Sequence, residues 1–142
     1  MLNRTKVAMT LLTSYFVNKQ NRYDDKDDAF LSLTKGKSMN DHPVYDVWLF
    51  EDGTVIYKGI ENVKKTGIHR TTLSLNLLDK IKALALNLSS KEIGDAKGRD
   101  NPLSIIKYND RKIVYQSARA RGNLLELNTL LEHVANSLND SE

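Results

Sequence analysis

Apolar and polar residues alternate along the middle of the chain, a pattern typical of β-strands. Leu31 and Leu33 alternate with Ser32 and Thr34, and a loop with polar residues and Gly then leads to a second alternating region. That region, SMNDHPVYDVWLFEDGTVIYKG (residues 38–59), holds two apolar runs on either side of an Asp-Gly pair. Strands separated by such a pair indicate a β-hairpin.

The register of this hairpin follows from its turn. A two-residue turn at Asp52-Gly53 places Trp48 opposite Tyr57. One face then carries Trp48, Phe50, Val55 and Tyr57, and the other carries Tyr45, Val47, Leu49 and Ile56. A hairpin that is apolar on both faces requires cover on its second face, from the N-terminal segment, another protomer or a ligand.

Two later segments show the spacing of amphipathic helices. Ser74 is a capping residue type, and the apolar positions after it are Leu77, Leu78, Ile81, Leu84, Ala85 and Leu88. Asn123 and Glu126 have capping-box spacing, and the apolar positions that follow are Leu124, Leu127, Leu130, Leu131, Val134 and Leu138. A polar strand from Gly67 to Leu73 precedes the first helix. A hairpin of LSIIKY and KIVYQS, joined through Asn109-Asp110, lies between the two helices.

The first 22 residues are predicted separately from the domain. An apolar run, residues 7–17, follows Arg4 and Lys6, as in a signal peptide, but neither small residues nor a Cys stand where cleavage would occur. We predict an N-terminal helix over residues 1–22, with a degenerate targeting segment as the alternative. Residues 23–28 are predicted to form a solvated acidic linker, and residues 29–142 a single domain.

These elements together predict an α+β fold. We expect a mostly antiparallel sheet of five to six strands, with two amphipathic helices on one face and the N-terminal helix in addition.

Composition excludes several classes of protein. The chain of 142 residues contains no cysteine, so a disulfide framework, a thiolate metal site and a Cys nucleophile are all absent. A net charge of +3 permits an acidic partner without requiring one. No window is long and apolar enough to span a membrane, and we expect a cytoplasmic protein, with export as the alternative.

The string HPVYDVWLFEDGTVIYKG, with Val63, Gly67 and the helix after Ser74, resembles a bacterial domain family of unknown function. Its members read roughly Cys-Phe-Gly-x-Cys-Pro-x-Tyr, then Asp-Gly-x-Val-x-Tyr-x-Gly, a helix and a second hairpin. The resemblance extends from about Ala29 to Leu138. The family's two cysteines fall on Ser38 and His42, so a redox or disulfide role does not carry over. The resemblance implies the fold and assigns no activity.

The residue types that carry catalysis form no recognised motif. His42 and His69, with Asp41, are weak candidates for a metal site, because no HExxH or similar spacing supports them. The chain has neither a Gly-x-Ser-x-Gly elbow nor a Gly-rich phosphate loop. The sequence predicts no cofactor and no catalytic residue, and an enzyme of unrecognised class is the third hypothesis, after the two that follow.

The first hypothesis is a non-catalytic binding or protein-interaction module. Its predicted surface is the aromatic face with Trp48, Phe50 and Tyr57, and its partner is another protein or a second protomer. The second hypothesis is a nucleic-acid or polyanion binder, which requires Arg70, Arg119 and Arg121 to share one face. Acidic residues interspersed with the basic ones favour the first hypothesis.

Overall fold

The alternating segments form one six-stranded antiparallel sheet. A computed structural model describes residues 26–94 and 102–140. The strands are β1 (Leu31–Lys35), β2 (Val44–Leu49), β3 (Thr54–Glu61), β4 (Gly67–Thr72), β5 (Leu103–Tyr108) and β6 (Arg111–Gln116). Their order across the sheet is β4-β3-β2-β1-β5-β6. The first strand of the chain therefore lies inside the sheet, between β2 and β5.

The two leucine-rich segments form the helices α1 (Leu75–Leu86) and α2 (Gly122–Asp140). Ser74 is the N-cap of α1 as predicted, and its hydroxyl accepts a hydrogen bond from the backbone N–H of Leu77. A short 3-10 helix (Ser90–Glu92) follows α1, and another (Lys26–Asp28) precedes β1 within the predicted acidic linker.

Both helices pack on the same face of the sheet, which we call the inner face. Residues paired directly across neighbouring strands share a face, so the register identifies its members. They include Leu31, Leu33, Val47, Leu49, Val55, Tyr57, Ile106, Ile113 and Tyr115. These side chains form one core with Leu78 and Ile81 of α1 and with Leu124, Leu127 and Leu131 of α2. The α+β class, the antiparallel sheet and the two helices on one face are thus confirmed.

The predicted register of the first hairpin is wrong by one residue. Trp48 pairs with Ile56, and Val47 pairs with Tyr57. The cause is a three-residue loop, in which Gly53 donates to the carbonyl of Phe50 at 2.9 Å and has a φ of 92°. A type I turn followed by Gly at positive φ forms such a loop, and the extra residue shifts every later partner.

The second hairpin has the predicted two-residue loop. Tyr108 pairs directly with Arg111, so Asn109 and Asp110 alone connect the strands. Asn109 has a φ of 54°, a conformation that asparagine tolerates better than most residues. An asparagine here therefore takes the position for which a glycine is usually required.

The predicted cap of α2 is wrong. The helix begins at Gly122, and the backbone N–H of Asn123 donates to Glu92 Oε2 at 2.5 Å. The other oxygen of Glu92 accepts from the backbone N–H of Ser89 at 2.9 Å. Glu126 forms an ion pair with Lys80 at 3.3 Å. A carboxylate distant in sequence thus accepts a hydrogen bond from a free backbone N–H at the N-terminus of α2. Residue spacing within the helix could not reveal this partner.

The predicted N-terminal helix, residues 1–22, lies outside the described residues. In the part of the chain that is described, no helix has the length and apolar character needed to cross a membrane.

Candidate functional site

The three aromatic residues proposed as a binding surface do not lie on one face of the sheet. Tyr57 points to the inner face and Trp48 to the opposite face, because of the corrected register. Phe50 and Tyr57 are each 1% exposed, whereas Trp48 is half-buried, with Lys26 Nζ 4.7 Å from its ring centroid. A shared exposed aromatic face is therefore wrong, and a binding role for the individual residues stays a prediction.

The three arginines of the polyanion hypothesis lie far apart. Arg70 is on β4, whereas Arg119 and Arg121 follow β6. β4 and β6 are opposite edges of the sheet. Because neighbouring strands are about 4.8 Å apart, the two edges are separated by about 24 Å. Arg70 is therefore well separated from the other two arginines, and a binding face that all three share stays a prediction.

The histidine candidates are also separate from any cluster of ligands. His42 lies in the loop before β2, and the ring of His69 on β4 is 2.9 Å from the carbonyl oxygen of Thr66. Within residues 26–94 and 102–140, no three His, Asp or Glu side chains come together in a way that could hold a metal ion.

A different set of residues does converge. Lys35 ends β1 at an inner-face position, and only 6% of its surface is exposed. Four oxygens surround its Nζ: Ser117 Oγ at 2.6 Å, Asn128 Oδ1 at 2.7 Å, Glu132 Oε2 at 2.7 Å and Ser104 Oγ at 3.0 Å. Because a buried ammonium or amine needs such partners, the network compensates for the lost hydration of Lys35.

The network continues through Asn128, which is 2% exposed on α2. Its Oδ1 also accepts a hydrogen bond from the hydroxyl of Tyr115 at 2.6 Å. Ser104 and Tyr115 are direct cross-strand partners on β5 and β6. One amide oxygen thus joins the sheet to the helix and fixes the position of Lys35 between them.

Burial sets the protonation of this network. Desolvation lowers the pKa of Lys35, and the hydrogen bond and charge of Glu132 oppose that change without reversing it. Desolvation raises the pKa values of Tyr45 and Tyr115, and the nearby Glu132 carboxylate adds to both increases. The two tyrosines therefore stay protonated, while Lys35 loses its proton more readily than an exposed lysine does.

One wall of a cavity is formed by this network. The cavity has a volume of about 300 Å³ and lies where β1 and β6 end and β2 begins. Its lining residues are Lys35, His42, Pro43, Tyr45, Pro102, Ser117, Ala118, Glu132 and Asn136. We call it the Lys35 cavity. It combines hydrogen-bonding groups with apolar patches, the composition typical of sites for small polar ligands.

The sequence contains a signal for this site that its interpretation missed. Leu31, Leu33 and Lys35 alternate on one strand, so the lysine occupies an inward position. Ser104 alternates with Ile106 in the same way, and Asn128 falls within the leucine face of α2. Polar residues at core positions of several elements indicate a buried network, provided that the elements are neighbours.

One protein family model matches most of the chain. A comparison with curated proteins finds no match. Residues 29–138 match the family model described as domain of unknown function DUF6438. The match spans both hairpins, α1 and most of α2. It also includes every residue of the hydrogen-bonded Lys35 network, which consists of Lys35, Ser104, Tyr115, Ser117, Asn128 and Glu132. On this evidence the chain belongs to that family of domains of unknown function.

Proposed function

We propose that the protein is a binding module whose ligand occupies the Lys35 cavity. The observation that carries this proposal is the ion pair at the cavity wall between the buried Lys35 and the partly exposed Glu132, whose side chains are 7% and 39% exposed. Replacing such a pair by apolar residues is often neutral or stabilising in other proteins, so packing alone does not require it. Buried charged groups beside a cleft are more common at functional sites.

The chemistry of the cavity favours a small polar ligand. Its volume is at the lower end of the range of about 300–1,000 Å³ for ligand sites. The hydroxyls of Tyr45 and Ser117 and the amide of Asn136 supply hydrogen-bonding groups, and Pro43 and Pro102 supply apolar contacts. The Lys35–Glu132 pair has no net charge, which disfavours selection for ligands of one sign.

The cavity replaces the sites on which the sequence hypotheses relied. The interaction hypothesis needed an exposed aromatic face, and the polyanion hypothesis needed Arg70, Arg119 and Arg121 to share one face. A binding role is retained here, with the ligand moved to a concave site. This proposal depends on the cavity being accessible, which an experiment can test directly.

The test is a screen of small polar fragments by amide chemical-shift mapping. We expect shifts to concentrate at Tyr45, Ser117, Ala118 and Asn136, and the variant Ala118→Trp to abolish them by filling the cavity. The matched control is Ala83→Trp, at an exposed position of α1, which should leave the shifts unchanged. Shifts that map elsewhere, or that persist in Ala118→Trp, contradict the proposal.

A further inference from the structure

Ser117 is the serine of the Lys35 network that lines the cavity. It follows β6, is half-buried and lines the cavity, whereas Ser104 is fully buried. The Oγ of Ser117 is 2.6 Å from Lys35 Nζ, the shortest contact of that nitrogen. A serine close to a buried lysine and open to a cavity has the relation found in serine–lysine nucleophile sites.

The four oxygens around Lys35 Nζ hold its ammonium, and the same positions can hold the neutral amine that a general base requires. An uncharged amine has two hydrogens and one lone pair. The two hydrogens can be donated to Asn128 Oδ1 and Glu132 Oε2, each at 2.7 Å, while the lone pair accepts the proton of Ser117. This arrangement of hydrogens and lone pair accounts for the three shortest contacts of Lys35 Nζ. Burial favours this form of Lys35, because it lowers the pKa of the side chain.

We propose that Ser117 is a nucleophile that accepts an acyl group from an ester bound in the Lys35 cavity, with Lys35 as its general base. The Oγ–carbon bond forms, the bond between the carbonyl carbon and the leaving oxygen breaks, and the Ser117 proton passes through Lys35 Nζ to the leaving alcohol. The Glu132 carboxylate stabilises the ammonium that forms in between. This inference rests on the proposed function, because the ester must enter the cavity.

Asn128 acts as a positioning residue. Its oxygen holds Lys35 from the helix side and is itself held by the Tyr115 hydroxyl at 2.6 Å. The Nζ is thus directed at Ser117 from a rigid part of the core, where both Asn128 and Tyr115 are buried.

The test uses a fluorophosphonate probe, which forms an Oγ–phosphorus bond and releases fluoride. We expect one adduct per chain, located on Ser117 by peptide mass spectrometry. Ser117→Ala should abolish labelling, and Ser137→Ala, an exposed serine of α2, should leave it unchanged. Lys35→Met should slow labelling about a hundredfold or more, as expected for loss of a general base. Labelling at other serines, or none, contradicts the inference.

The pH dependence of labelling provides a check that does not depend on the folding of Lys35→Met. The wild-type rate should rise with pH and level off below the ordinary lysine pKa of about 10.4. The other titratable groups near Lys35 are Glu132, His42, Tyr45 and Tyr115, and burial raises the pKa values of the two tyrosines above their ordinary value. A rate that does not change with pH overturns the role of Lys35.

A cysteine variant separates failure of this inference from failure of the proposed function. In Ser117→Cys, iodoacetamide should alkylate the thiol in the folded protein. If the thiol is protected, the cavity is closed and both proposals fail. If the thiol is alkylated but wild-type Ser117 never reacts with the fluorophosphonate, the nucleophile is excluded and the binding function stands.

Discussion

Lys35 and Lys37 are two positions apart in sequence but have different electrostatic environments. Lys35 is buried among four oxygens, whereas Lys37 is exposed and forms a 3.5 Å ion pair with the similarly exposed Glu61. If Lys35 loses a partner, the buried group that remains has no water to replace it, and the free energy of unfolding decreases. If Lys37 loses Glu61, water takes the place of the carboxylate. The contribution of a lysine to stability therefore depends here on whether its side chain is buried or exposed.

Replacing Lys35 by methionine should destabilise the protein. The change removes the 3.0 Å contact of buried Ser104 and one donor to Asn128, so we expect a loss of about 1–3 kcal/mol in the free energy of unfolding. Urea denaturation measures this loss. Lys37→Met is the matched control and should change the value by less than about 0.5 kcal/mol. Equal effects of the two substitutions would show that the network does not stabilise the fold.

At the level of secondary structure, the carboxylate of Glu92 connects two elements. It closes a capping box with Ser89 in the 3-10 helix and also accepts from the first turn of α2. A negative charge at a helix N-terminus interacts favourably with the helix dipole. The loop after α1 thus contributes to the stability of a helix about 30 residues later in the chain.

The substitution Glu92→Gln should weaken the start of α2. The amide keeps one acceptor oxygen, presents a donor to the other N–H and loses the charge, so we expect a loss of about 1–2 kcal/mol. Amide hydrogen exchange at Asn123 and Leu124 should accelerate, whereas Lys91→Ala, at the exposed neighbouring position, should leave exchange unchanged. Unaltered exchange in Glu92→Gln would mean that the cap has no influence on fraying.

Elements with strong periodicity could be predicted from sequence, and so could the loop of the second hairpin, but the loop of the first hairpin and the cap of α2 could not. The leucine spacing predicted both helices and the alternation predicted both hairpins. The loop at Gly53 was misassigned because two-residue and three-residue turns both accept Asp-Gly, and the choice between them moves Tyr57 to the opposite face. The cap of α2 was missed because Glu92 reaches it only through the tertiary fold.

For the molecule as a whole, the Lys35 cavity is a product of topology. Lys35, Ser104, Ser117 and Asn128 come from β1, β5, the end of β6 and α2. The sequence predicted each of these elements, but no local pattern showed that β1 inserts next to β5. The site could therefore not be predicted until the strand order was known.

The stability of the molecule should fall in alkaline solution. Burial raises the pKa values of Tyr45, Tyr57 and Tyr115, so the folded state retains these protons where the unfolded chain loses them, above about pH 10. The unfolded state then binds fewer protons, and the free energy of unfolding decreases with pH. Lys35, whose pKa is lowered, contributes in the opposite direction below that pH.

Urea denaturation on both sides of about pH 10 measures the alkaline decrease. Tyr115→Phe should make the decrease less steep, because one of the three retained protons is removed. A stability that is constant, or that rises above this pH, contradicts the assignment of buried, protonated tyrosines.

The insertion of β1 between β2 and β5 also requires this strand to pair with one partner near in sequence and one far from it. Leu33 pairs with Val47, which is near in sequence, and with Ile106, which is synthesised much later. Pairing over such a separation is slow, and until it occurs one side of β1 has open backbone groups. A partly synthesised chain therefore has an unpaired strand edge that the second hairpin later covers. Shielding of that edge, for example by a chaperone, would matter most before residue 108 leaves the ribosome.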